Sequence, residues 1–120
     1  MIRSRFAIDR SAGLVLLDMD GHAGFADPGS DPVCAGASTL AFTAFDFLLR
    51  MEQEGAMRGE MQMTVDSGRM RLLAELRPER FDEALHALAF VATGMSLLAG
   101  CYPEHVARPE VAGELISQLR

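Results

Sequence analysis

The sequence predicts a two-layer α+β fold, with a sheet built from two β-hairpins packed against two main helices and a short C-terminal helix. Three observations lead there. Ile2–Ile8 with Leu14–Met19, and Met61–Val65 with Met70–Leu76, are pairs of alternating or apolar runs joined by turn-forming residues. Two longer segments, from Val33 to about Glu54 and from Pro78 to Cys101, have the apolar content and breaks of helices. At 120 residues the chain suits one core, and a single domain spanning 1–120 is expected.

The first strand carries Ile2, Phe6 and Ile8, Asp9 to Gly13 supplies the turn, and the second strand ends at Gly21. The first helix repeats Val33, Ala37, Leu40, Ala41, Ala44, Leu48 and Met51, with Gly55 as its stop. Phe42, Phe45 and Phe47 widen its apolar surface beyond one stripe. In the second hairpin Met61, Met63 and Val65 alternate with Gln62 and Thr64, and Asp66-Ser67-Gly68 turns the chain. The methionines read as a core face.

Pro78 opens the second helix with Glu79, Asp82 and Glu83 near its positive end. From Ala84 to Cys101 the only ionisable side chain besides Cys101 is His86. A helix apolar on nearly every side needs cover on nearly every side, so a homodimer is expected. His86 reads as a core or edge residue and Cys101 as buried packing. Pro103 ends the helix, Glu104 to Ala107 reads as a short edge strand, and Pro109 starts a helix with Val111, Leu115, Ile116 and Leu119 on it.

Composition removes several function classes. A net charge of −6 without a Lys/Arg cluster argues against a nucleic-acid surface. Two cysteines give no disulfide framework, which fits a reducing cytoplasm. Arg3, Arg5, Asp9 and Arg10 precede any apolar run, so no signal peptide is expected, and Ala87 to Tyr102 is short for a membrane span.

The chemistry is concentrated in Gly21 to Ser38, between the second strand and the first helix. Asp31 suits an N-cap and Pro32 the first helical position, which places Cys34 in the first turn. Free N–H groups and the helix dipole there favour a thiolate and could bind an oxyanion. His22, delivered by Gly21 to the sheet's end, is the matching base. Ser38 lies one turn beyond Cys34 on the same face. The loop from Ala23 to Ser30, with Gly24 and Gly29 as hinges and Phe25 its one large apolar residue, reads as a mobile lid. A phosphate loop is disfavoured, since no lysine follows the glycines and Asp27 and Asp31 repel phosphate. No metal-ligand spacing and no cofactor are indicated.

The stretch resembles the signature of the ribosomal-processing cysteine proteases, the Prp family. That signature corresponds here to Gly21-His22-Ala23-Gly24-Phe25-Ala26, Gly29 and Asp31, Val33-Cys34-Ala35 and Ser38, with a late Tyr102-Pro103-Glu104 run. Phe25 stands for tyrosine, Pro32 for an aliphatic residue and Gly36 for alanine. The resemblance implies a cysteine endopeptidase with His22 and Cys34 as its dyad. Its implied partner is the N-terminal extension of a bacterial large-subunit ribosomal protein (number twenty-seven), removed in the cytoplasm. Two alternatives are the same chemistry on a phage capsid or scaffold precursor, and a non-catalytic dimeric binding module of the same fold.

Overall fold

Alternation decides the layers. In the computed structural model, which describes residues 1–113, β1 (Arg3–Asp9) and β2 (Leu14–Asp20) bury every second residue. The chain continues through α1 (Pro32–Gln53), β3 (Gln62–Asp66), β4 (Arg69–Glu75) and a 3-10 turn (Pro78–Arg80). That turn runs into α2 (Phe81–Cys101), and β5 (Glu110–Ala112) follows. The expected α+β architecture is the one observed. The strand order, which the sequence left open, is β3-β4-β2-β1-β5, antiparallel throughout except for the parallel pair β1–β5.

One face of the sheet holds Phe6, Ile8, Val15, Leu17, Leu72 and Ala74, all buried beneath the helices. The helices contact each other closely because small residues face large ones. A Cβ added to Gly94 would stand 2.6 Å from a methyl carbon of Leu40, and one on Gly36 3.7 Å from Leu98. The other face carries charges of alternating sign straight across the ladder, Glu110–Arg5–Asp18–Arg71 and Arg3–Asp20–Arg69–Asp66. Opposite charges on neighbouring strands support the pairing and keep this face toward water. Hence the two layers.

Several expectations need correction. Glu104 to Ala107 is no strand: the chain turns there, and Val106 alone bridges to Ile2. The helix expected from Pro109 begins instead as β5, because the free edge of β1 offers backbone partners to Glu110–Ala112; Leu115, Ile116 and Leu119 lie outside the described residues. Within one chain helix α2 is covered on all but one side, the side left for the expected second subunit. His86, Phe90, Thr93, Leu97 and Cys101 recur on one outward stripe, with Phe90 79% and Leu97 69% exposed. Cys101 is therefore exposed rather than buried packing.

The helices have the expected lengths, and each is longer than the apolar run from Ala87 to Tyr102. Pro32–Gln53 and Pro78–Cys101 each hold an 18-residue stretch long and apolar enough to cross a membrane, with mean hydropathies of 1.4 and 1.7 over those stretches. Part of that apolar character is used inside the fold. Val33, Ala37, Ala41, Ala44, Leu48 and Met51 of α1 are buried, as are Phe81, Leu85, Leu88, Val91 and Met95 of α2.

Candidate active site

The site forms where β2 stops and α1 starts. Gly21 takes φ +95, and a Cβ there would run into the Met1 carbonyl, so only glycine lets the strand end this way. Its N–H donates to the Gly68 carbonyl at 2.8 Å, and the Met1 nitrogen donates to the His22 carbonyl at 2.6 Å. These bonds fix the backbone on both sides of His22. The His22 ring rests on the β3–β4 turn, where a Cβ on Gly68 would stand 2.7 Å from Nε2. Gly68 is thus the space that the ring occupies.

Asp31 ties the loop to the helix. Its Oδ1 accepts from the N–H groups of Val33 (2.9 Å) and Cys34 (3.1 Å), and its Oδ2 from those of Phe25 (3.0 Å) and Ala26 (3.1 Å). Burial works to raise this carboxyl, but the four bonds, from Cys34, Ala26, Phe25 and Val33, outweigh it and hold the group below the usual carboxylate range. The expected N-cap is therefore present, and it does more than cap.

The same bonds correct the expected oxyanion donors. Val33 and Cys34 donate to Asp31, Ala35 donates to the Asp31 carbonyl at 3.0 Å, and Pro32 has no N–H. The first turn of α1 has none to spare among these residues. The donor at the sulfur comes instead from the loop, where the Ala23 N–H reaches Cys34 Sγ at 3.2 Å. Ala23 is buried and Cys34 half-buried. Among the described residues no hydrogen bond joins the His22 ring to Cys34.

The root of the loop is held from the far end of the chain. His105 Nδ1 lies 2.8 Å from the Ala23 carbonyl, and the Phe25 ring meets Tyr102 and His105 edge-on at 5.5 and 5.3 Å. Ala23 and Phe25 are thus anchored, while Gly24 (φ +64) and Gly29 (φ +86) have open space around them.

Cys34, His22 and Ser38 separate two hollows. One, about 160 Å³, is lined further by Met19, Ala37, Phe42 and Val65. The other, about 550 Å³, lies under the loop against Gly24, Pro28 and Asp31. Phe42 and Val65 are exposed there despite their apolar side chains. Sequence reasoning did not find Gly68, His105 or the Ala23 N–H. Asp66-Ser67-Gly68 reads only as a turn, and a backbone donor leaves no trace in residue identity. Among the described residues no group of three or more His, Cys, Asp or Glu side chains is placed to hold a metal.

A family model described as cysteine protease Prp matches residues 1–107. No curated protein matches the chain. Among solved structures, the essential ribosomal processing protease Prp of Staphylococcus aureus, in complex with a covalently linked product peptide, is similar with a TM-score of 0.70 at 24% identity, covering 92% of this chain and 99% of that one. The same protease with a substrate peptide gives 0.60 at 22% identity, covering 94% and 100%. The SMU.848 protein of Streptococcus mutans gives 0.63 at 24% identity, covering 94% and 96%.

Proposed function

Because the chain belongs to the Prp family of cysteine proteases, we propose that it removes the N-terminal extension of a bacterial ribosomal protein precursor, large-subunit protein number twenty-seven, using Cys34 and His22. The observation that carries this reading is the position of Cys34: in the first turn of α1, with the Ala23 N–H on its sulfur and His22 lining the same two hollows. The Ala23 N–H supports the sulfur as it develops charge in the attack. His22 takes the thiol proton, and the sulfur attacks the scissile carbonyl carbon. The C–N bond then breaks, the amine leaves with the proton from His22, and a thioester stays on Cys34. Water, deprotonated by His22, attacks the thioester, and the C–S bond breaks to release the acid. The Ala23 N–H is the donor beside the carbon where the oxyanion forms.

A peptide lying across Cys34 has a hollow on either side for its flanking side chains, and the apolar Phe42 and Val65 suit an apolar one. Ser38 offers its hydroxyl between them. In this reading the enzyme works in the cytoplasm as a homodimer paired through the outward stripe of α2, and the unanchored part of the loop, Asp27 to Ser30, closes over bound peptide. The family match favours this over the non-catalytic module, as does the presence of both His22 and Cys34. The test is incubation with the host's precursor, followed by sequencing of any new N-terminus. Cleavage that stops in Cys34→Ser and His22→Ala is expected; an intact precursor would overturn the substrate, and cleavage by both variants would overturn the dyad.

A further inference from the structure

Cys34 owes its one loop-derived donor to a residue that the reaction has not yet used. The Ala23 N–H points at Sγ only while the root of the loop keeps its place, and Ala23 carries a side chain of one methyl to hold it there. Its carbonyl faces His105 Nδ1 at 2.8 Å. A carbonyl only accepts, so Nδ1 bears the hydrogen and donates. His105 is itself fixed through its backbone: its carbonyl accepts from Ile2 N–H at 2.9 Å, and its own N–H donates to the Tyr102 carbonyl at 2.9 Å. The ring stands edge-on to Phe25. A rigid anchor thus grips the residue whose N–H touches the nucleophile.

We infer that His105 is a positioning residue for Cys34, holding the Ala23 carbonyl so that the Ala23 N–H stays on the sulfur. The inference deepens the protease reading and rests on it for its meaning, but its primary test needs no peptide. A donor lost from the sulfur disfavours the thiolate, so the pH at which Cys34 becomes reactive moves up. The other charged or titratable side chains that line the cleft beside Cys34 are His22, Asp20, Asp31, Asp66 and Arg69, and every variant at His105 keeps them.

The experiment compares His105→Phe, which keeps a ring against Phe25 without a donor, with His105→Asn, which keeps an N–H donor without the ring. Iodoacetamide labelling of Cys34, located by mass, is followed against pH. In His105→Phe the midpoint is expected to rise by about one unit, with kcat on a peptide falling roughly tenfold and KM little changed. In His105→Asn both stay near wild type. A wild-type midpoint in His105→Phe overturns the inference, and so does an equal shift in both variants, which would assign the effect to ring packing. Should the phenylalanine variant not fold, His105→Ala carries the same comparison with His105→Asn. A shifted midpoint in a protein that cleaves no precursor would leave this inference standing while the proposed substrate fell.

Discussion

Cys34 and Asp31 occupy neighbouring positions with opposite demands. The thiol gains from positive potential at the helix start, while the carboxylate there consumes two of the N–H groups that create it. The arrangement holds because Asp31 spends its other oxygen on Phe25 and Ala26, which brings the loop back over the cysteine. A carboxyl held below its ordinary range contributes stability above the unfolded value, and that stability is lost as pH falls through the folded value. Asp31→Asn should therefore melt lower than wild type at pH 7, with the gap closing in acid; a gap independent of pH would deny the carboxylate this role. The places of His22 at a strand end and Cys34 at a helix start were legible in the sequence, while their pairing as a dyad rested on the family resemblance. Gly68 was not, since what it contributes is empty space. Gly68→Ala puts a methyl into the His22 ring and strains a φ of +75, a cost of about 1–2 kcal/mol. Gly59, at φ +77 with nothing within 4 Å, is the matched control. Both alanine variants should lose similar stability, and only Gly68→Ala should lose turnover beyond it. Equal activities would remove the steric link to His22.

At the scale of elements, β1, β2, β4 and the two helices could be read because each buries a face whose period is its own, while β3 alternates in sequence without burying a residue. The C-terminal segment could not: Glu110–Ala112 is too short to show a period, and its pairing depends on the vacant edge of β1. Helix α2 misled at Cys101, read as buried packing, since its composition is apolar all round while its geometry leaves one stripe with Phe90, Leu97 and Cys101 outside. Exposed residues of that size are the reason to expect a second copy against the stripe. Light scattering should give twice the 13.0 kDa chain mass for the wild type and the single mass for a Phe90→Glu, Leu97→Glu variant; a wild-type monomer would refute the dimer. The loop is better tied than its composition suggests. Hydrogen exchange should find the amides of Ala23, Phe25 and Ala26 slow, Asp27 to Gly29 fast, and the latter slowed by peptide on a Cys34→Ala variant. Fast exchange at Phe25 and Ala26 would mean that Asp31 does not hold the loop.

Over the whole molecule, the site draws on both ends of the family-matched region. Met1 and Ile2 pair with His22 and with His105 and Ala107, so the residues leading into β1 sit between His22 and the turn after α2. That closure is long-range, which is why local sequence patterns place His22 and Cys34 and not the residues that support them. In the proposed reaction Cys34 carries the acyl group of a cleaved peptide. Rapid quenching of the enzyme with a precursor peptide, followed by mass mapping, tests it directly. A thioester is expected on the fragment bearing Cys34, none on Cys101, and none when His22 is alanine; cleavage proceeding at full rate with no acyl group on Cys34, or with the acyl group on Cys101, would overturn the assignment of Cys34 as nucleophile.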